Sequence, residues 1–372
     1  MKSSSIRVII SGGGTGGHIF PAIAIANAIK EILPDSEILF VGAKGRMEME
    51  KVPAAGYKIE GLWISGIQRR LTYKNFLVPF KIISSLIRSR SIIKNFKPDV
   101  VVGVGGYASW AVVKAANYNK IPTLIQEQNS FPGKSNINLS KKVNKICVAF
   151  PEMKKYFPVE KIVLTGNPVR KDVIDIENKK QEALKFFGLK ENHKIIFAVG
   201  GSLGARTINE SICKSLSLLK EKNIQLIWQT GKAYYETAKA EVKNYTGNGI
   251  AVYDFINRMD LAYAAADLVV SRAGAISVSE LCCVGKPAIL VPSPNVAEDH
   301  QTKNAMALVK ENAARLVKDS ECRQILSEVI NEMFGNEEEM KNLSCNIKRL
   351  ALPDAAITIA KEVIKLTGKI FK

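Results

Sequence analysis

One pattern limits what this chain can fold into: a short, wholly apolar run that stops in a glycine loop and restarts as a helix. It occurs at residues 6–10, which meet Ser11, Gly12, Gly13, Gly14, Thr15, Gly16, Gly17 and His18 ahead of a helical pattern at 21–33. It recurs at 100–104, followed by Gly105, Gly106 and a helical stretch at 108–116. It recurs again at 195–199, where a turn over 200–205 leads into a helix at 207–219. Strands without polar alternation are covered on both faces, and strands that alternate with helices form parallel sheets. Further apolar runs at 38–41, 123–126, 145–149, 226–229, 251–253, 268–271 and 288–291 extend the series, with helical patterns at 277–284 and 355–366. The expected class is α/β with doubly wound parallel sheets.

The series starts twice. A short strand at 162–164 runs into Thr165, Gly166, Asn167 and Pro168, which places a boundary within 166–174. The 372 residues suffice for two domains of ordinary size. The expected division is 1–165 plus a C-terminal helix at about 352–372, and 166–351.

Charge separates the halves. Residues 1–165 hold 24 basic and 10 acidic groups, whereas 166–372 hold 29 and 25. The first half therefore suits a polyanion or an anionic membrane surface, and the second needs neither. Between Glu60 and Asp99 no acidic residue interrupts Arg69, Arg70, Lys74, Lys81, Arg88, Arg90, Lys94 and Lys97. Lys74, Lys81 and Arg88 share one helical face, Phe76, Phe80, Ile83 and Ile87 another, and Pro79 marks a break or a helix start. Such a stretch either lies in a lipid headgroup layer or packs on the sheet with its cations solvated. No nucleic-acid module accompanies it, so nucleic acid is not an expected partner. No run reaches about 18 apolar residues, and the polar start is no signal peptide. The reading is a cytoplasmic protein, peripheral to a membrane.

Three glycine loops at the carboxyl ends of strands mark the edge where open α/β sheets bind ligands. Inward-turned N–H groups can cradle a phosphate at a helix start. The first loop is neither the dinucleotide fingerprint nor a P-loop, since no Lys and Ser/Thr pair closes it. His18 suits proton transfer, a hydrogen bond to a sugar hydroxyl, or a helix cap. Ser202 suits a phosphate. Glu280, heading an apolar run at 281–284, either accepts from a ribose diol or pairs with Arg272. Gln301 and Asn304 share a helix face and either read sugar hydroxyls or cap. The three histidines are scattered, and no metal or cofactor is expected. Charge on a diphosphate then falls to helix ends, Arg and Ser.

The ordered set resembles the MurG family of peptidoglycan glycosyltransferases. The residues that carry it are Gly13 to Pro21; Gly103 to Ser109; Gln126, Glu127, Gln128 and Asn129; Thr165 to Arg170; Gly200 to Ala205; Arg272 to Ala275; and Asp299, His300, Gln301, Asn304 and Ala305. The chain departs from the family pattern at Ala111, at Ile137 and at His300.

The resemblance implies a GT-B fold, with two Rossmann-like domains facing across a cleft and the last helix returning to the first. It implies inverting transfer of N-acetylglucosamine from UDP-GlcNAc to the 4-hydroxyl of N-acetylmuramoyl-pentapeptide diphospho-undecaprenol (lipid I), giving lipid II and UDP. That activity serves cell-wall synthesis, cell shape and division from the cytoplasmic face of the inner membrane.

By the same resemblance, 166–351 is the UDP-GlcNAc domain, and 1–165 faces acceptor and membrane. Donor contacts are expected at Thr15, Gly16, Gly17, Asn129, Arg170, Ser202, Phe255, Ile256, Glu280, Gln301 and Asn304. The acceptor diphosphate is expected at Gly13, Gly14, Gly105 and Gly106, beside Tyr107. Membrane contact is expected at Phe76, Phe80, Ile83, Lys74, Lys81 and Arg88. His18 is the expected base and Glu127 the second candidate. The alternatives are another UDP-sugar enzyme on the same fold, such as a 2-epimerase, and a non-catalytic nucleotide-sugar binder.

Overall fold

The computed structural model describes residues 5–65, 77–245 and 247–369, with only the backbone of Ala297. Lys74 and Phe76 of the expected membrane stripe lie outside the described residues. The chain forms two compact units, Met1–Val169 with Asp354–Lys372, and Arg170–Pro353.

The first unit carries β1 (Arg7–Ser11), β2 (Glu37–Ala43), β3 (Lys58–Leu62), β4 (Val100–Gly103), β5 (Thr123–Glu127), β6 (Lys145–Val148) and β7 (Ile162–Leu164). They pair in parallel in the order β3-β2-β1-β4-β5-β6-β7. The second unit carries β8 (Ile195–Val199), β9 (Gln225–Gln229), β10 (Ile250–Tyr253), β11 (Leu268–Ser271), β12 (Ala288–Leu290) and β13 (Arg315–Leu316). Their order, β10-β9-β8-β11-β12-β13, is the same winding, again parallel. In each sheet the winding reverses between the first and fourth strands of the unit. At such a switch point neighbouring loops diverge and leave a crevice. The loops after β1 and β4 flank one, and the loops after β8 and β11 flank the other.

The layering explains the apolar strands. Successive side chains point to opposite faces. Ile9 of β1 joins Val101, Ile125 and the buried face of the Tyr107–Tyr118 helix. Val8 and Ile10 join Ile19 and Ile25 of the Gly16–Ile32 helix and Ile359 and Val363 of the Ala355–Leu366 helix. The second unit repeats this, with Ile196 and Ala198 packed on Ile208, Ile212 and Leu216. The last helix thus returns to the first unit, and Lys369 pairs there with Asp99 at 2.8 Å.

Some local expectations change. The first helix begins at Gly16 rather than 21 and takes Pro21 inside it, so Gly16 and Gly17 form its first turn. Glu337, Glu338 and Glu339, in a run that reads as plain surface, open the Glu337–Arg349 helix, where Asn336 accepts from the Glu339 N–H. Carboxylates belong at that positive end. Pro79 lies in the first turn of the Val78–Phe96 helix, so it starts the helix and does not break it. Among the described residues no helix is long and apolar enough to cross a membrane.

Candidate functional site

In the first unit the crevice is lined by two loops in backbone contact. Gly105 and Gly106 have φ of +103° and +89°, conformations that side chains rarely adopt. A Cβ on Gly106 would stand 2.8 Å from the Gly13 carbonyl oxygen. A Cβ on Gly105 would stand 2.7 Å from His18 Nε2, so the imidazole lies flush on that loop. His18 Nδ1 bonds the Gly13 carbonyl oxygen at 3.0 Å. A carbonyl only accepts, so Nδ1 carries the proton and the neutral ring presents a lone pair at Nε2. Thr15 and Gly17 are exposed beside it, and no side chain caps the helix they open. Tyr107 is exposed at the start of the next helix.

Beneath the first loop is a residue that sequence reasoning missed. Glu48 is fully buried. Its Oε2 accepts from the Gly14 N–H at 3.0 Å and its Oε1 from the Ala43 N–H at 2.9 Å. In a Lys- and Glu-rich segment nothing local distinguishes Glu48 from a surface acid.

Glu127 is buried too, and its lone pairs are committed. Oε1 accepts from the Asn129 backbone N–H at 3.1 Å and from Asn129 Nδ2 at 3.3 Å. Oε2 accepts from the Gly133 N–H at 3.0 Å and from Asn136 Nδ2 at 2.9 Å. A carboxylate already accepting four bonds organises its loop and has little capacity left for a substrate proton. These bonds favour His18 over Glu127 as the base. Beside it Gln126, Gln128 and Asn167 form a buried amide network tied to the Val104 carbonyl.

The second unit's crevice is built on backbone crowding. Gly204 has φ of +79°, and a Cβ there would stand 2.0 Å from the Thr230 carbonyl oxygen. Ser202 is exposed and Leu203, at 84% exposure, is the loop's outermost apolar side chain. The Arg206–Glu221 helix then starts without a side-chain cap. Gln229, also missed in sequence, bridges the site. Its Nε2 donates to the Gly201 carbonyl at 3.1 Å, and its Oε1 accepts from the Ile256 N–H at 2.8 Å. Ile256 is buried, and Phe255 beside it is exposed.

Glu280 is partly buried on the Ala275–Val284 helix and accepts from the Tyr263 hydroxyl at 3.1 Å. Burial pushes its carboxyl up to about 7, opposed by that hydrogen bond and by the Arg170 charge. Burial, with Glu280 beside it, raises the Tyr263 phenol in turn. Pairing with Arg272, the other reading of Glu280, does not occur. Arg272 instead bonds Asp319 at 2.5 Å and the Val291 carbonyl at 3.0 Å, which ties the loop after β11 to its neighbours. Asn304 is wholly buried and donates to the Ala273 carbonyl at 3.3 Å. That bond supports the loop after β11. Gln301 Oε1 accepts from the Ser293 N–H at 2.8 Å. Arg170 is exposed, 3.7 Å from Asp172. Among the described residues no three His, Cys, Asp or Glu side chains gather as metal ligands.

On the Val78–Phe96 helix, Phe80, Ile83 and Ile87 are 65%, 57% and 62% exposed, while Ile92 and Ile93 are buried. Lys81 bonds Ser65 at 2.9 Å and lies over the Trp63 ring, and Arg88 pairs with Glu60 at 2.7 Å. The two cations share one face of the helix, on one side of the exposed apolar stripe.

Residues 8–148 match the glycosyltransferase family 28 N-terminal domain, and residues 195–359 match its C-terminal domain. A relative from Cytophaga hutchinsonii is 57% identical over 360 residues, 97% of this chain and 96% of that protein. It is named UDP-N-acetylglucosamine–N-acetylmuramyl-(pentapeptide) pyrophosphoryl-undecaprenol N-acetylglucosamine transferase. A Bacteroides fragilis protein of the same name is 54% identical over 98% of this chain and 97% of its own length. Among solved structures, Acinetobacter baumannii MurG superposes with a TM-score of 0.80 at 29% identity, covering 97% of this chain and 99% of that one. A UDP-N-acetylglucosamine 2-epimerase, 16% identical with a TM-score of 0.67 over 100% of this chain and 98% of its own, shares the fold.

Proposed function

The chain belongs to glycosyltransferase family 28, and we propose that its two glycine-loop crevices serve the two substrates of the reaction for which its relatives are named. That reaction is a hexosyl transfer of peptidoglycan synthesis. N-acetylglucosamine moves from UDP-GlcNAc to lipid I, giving lipid II and UDP.

The muramoyl 4-hydroxyl attacks the anomeric carbon as the bond to UDP breaks. One displacement inverts the centre and needs no enzyme nucleophile. It needs a base for the hydroxyl proton, and His18 Nε2 takes that role. The observation that carries this is the Nδ1–H bond to Gly13, which makes Nε2 the acceptor atom of the neutral ring and sets it against the loop of Gly105. Gly13, Gly14, Gly105 and Gly106 receive the acceptor's diphosphate beside Tyr107. Ser202, Arg170 and the uncapped starts of the Arg206–Glu221 and Ala275–Val284 helices offset charge on the leaving UDP. Glu280 accepts from the ribose diol, Phe255 meets the base, and Gln301 reads the sugar.

The stripe of Phe80, Ile83 and Ile87 is read as the contact with an anionic membrane on the cytoplasmic face, where lipid I presents its headgroup and the product enters growth and division of the wall. Each such side chain contributes roughly 1.5–3 kcal/mol when fully buried. Nucleic acid has no place in this reading.

The test is transfer of labelled N-acetylglucosamine from UDP-GlcNAc to a short-chain lipid I analogue, with EDTA present. A β-1,4-linked product supports the reading. UDP-GlcNAc epimerised without acceptor, and no product, moves the chain to the epimerases that share its fold.

A further inference from the structure

We propose that Glu48 is a positioning residue for His18, acting through the single peptide group that joins Gly13 to Gly14. The inference rests on the reading of His18 as the base.

That peptide group is held at both ends. Its N–H, from Gly14, donates to Glu48 Oε2 at 3.0 Å, and its carbonyl, from Gly13, accepts from His18 Nδ1 at 3.0 Å. In a trans peptide the two groups lie in the plane and point in opposite directions, so Glu48 and His18 hold opposite edges of one rigid unit. The other carboxylate oxygen is anchored on the Ala43 N–H at the end of β2, outside the loop. The glycines on both sides make room. A Cβ on Gly13 would stand 2.2 Å from Glu48 Oε1, and one on Gly42 would stand 2.5 Å from its Cγ.

Electrostatic attraction to substrate does not explain this carboxylate. A buried negative charge costs several kcal/mol unless well bonded, and beneath a loop that receives a diphosphate it repels the ligand. Its two bonds are charge-assisted and go to backbone, so what it fixes is the loop. Hydrogen bonds in series polarise one another. A carboxylate pulling on the Gly14 N–H makes the Gly13 carbonyl a better acceptor for the His18 Nδ1–H. The ring is thereby kept in the tautomer whose Nε2 lone pair is free. In hydrolytic triads a carboxylate orients the histidine by direct contact. Here one peptide group stands between them.

The test is a double-mutant cycle in the full chain with Glu48→Gln, His18→Ala and the pair, reading kcat and both KM values with UDP-GlcNAc and a lipid I analogue. Glutamine keeps the size and offers an amide where one of the two N–H groups needs an acceptor. The expected result is a kcat about 10-fold lower for Glu48→Gln, with both KM values within about 2-fold. On the His18→Ala background the same change should add less than about 2-fold. An equal loss on both backgrounds, or an unchanged kcat on the wild-type background, overturns the relay and leaves His18 as base untouched. A His18→Ala variant that keeps its kcat overturns the base assignment itself, and the relay with it. Should Glu48→Gln fail to fold, seen as lost cooperative unfolding by circular dichroism, Gly42→Ala displaces the same side chain from β2 with the carboxylate kept. It should show the same cycle, and an equal loss on both backgrounds counts against the proposal there too.

Discussion

The loop after β1 and the loop after β8 occupy the same place in two identically wound sheets, yet they are fastened in opposite senses. In the first unit the fastener is a carboxylate, and it takes an N–H of the loop. In the second it is the Gln229 amide, and it takes a carbonyl. The far end of each fastener differs as well. Through Gly13 the first ends on an imidazole with a free nitrogen. The second ends on the backbone N–H of Ile256, beside the exposed Phe255. On the function proposed above, one topology supplies two kinds of crevice, one fastened for proton transfer and one for recognition.

The largest effect that tests this contrast is on stability. Gly14 and Gly204 both hold positive φ, but nothing lies within 4 Å of a Cβ at Gly14, whereas one at Gly204 meets the Thr230 carbonyl oxygen. Gly14→Ala should cost about 1–2 kcal/mol from backbone strain alone. Gly204→Ala should cost roughly 3–5 kcal/mol, the strain plus overpacking, and with it the folded second unit. Urea unfolding followed by tryptophan fluorescence, with Trp63 and Trp110 in the first unit and Trp228 in the second, separates the two, and equal costs would mean that the second loop is no more tightly built than the first.

Next in size are the kinetic signatures. His18→Ala should lower kcat by about 10²–10⁴ and leave the UDP-GlcNAc KM within about 2-fold. Gln229→Ala should do the reverse, raising the UDP-GlcNAc KM about 10-fold for two lost hydrogen bonds with kcat nearly kept. If Gln229→Ala lowers kcat instead, the division into a chemical and a recognising crevice fails.

The smallest effect is a pH dependence confined to the second crevice. The fold favours neutral Glu280, whose carboxyl is raised from 4.5 to about 7. Its contribution to the empty unit is therefore full below about pH 4.5 and is lost as pH rises through about 7, a change of roughly 1–3 kcal/mol. Donor binding should run the other way, because the ionised carboxylate is the better acceptor for two ribose hydroxyls. UDP-GlcNAc affinity measured by calorimetry should rise about 3–10-fold from pH 6 to 8. Glu280→Gln should flatten both curves, and a donor affinity that falls over that range would remove Glu280 from the ribose.

These residues also mark how far the sequence could be read. The sheets, their glycine loops and His18 are visible because each leaves a local signature: an apolar run, then glycines, then a helical period. Glu48 is not, because its burial depends on Gly13 and Gly42 being bare on either side of it, and nothing in the segment itself says so. Nor is the partner of Arg272, since Asp319 lies 47 residues away and a nearer carboxylate at Glu280 was the plausible choice. Gln229 reads as the last residue of a buried strand. Its amide acquires a role only once Gly201 and Ile256 are folded beside it. The very short β13 and the short Glu48–Ala54 and Lys134–Ser140 helices carry too few residues for a period to show.

The return of the Ala355–Leu366 helix to the first unit has a consequence for how the molecule is made. Arg170–Pro353 is one uninterrupted stretch, while the first unit needs residues from both ends of the chain. On a ribosome adding roughly 5–20 residues per second, the strands that need Ile359 and Val363 wait on the order of 10–40 s for them. During that interval the second unit has every residue it packs, and the first still lacks its last helix. Until the Ala355–Leu366 helix emerges, the nascent first unit holds an uncovered apolar face that Ile359 and Val363 later close.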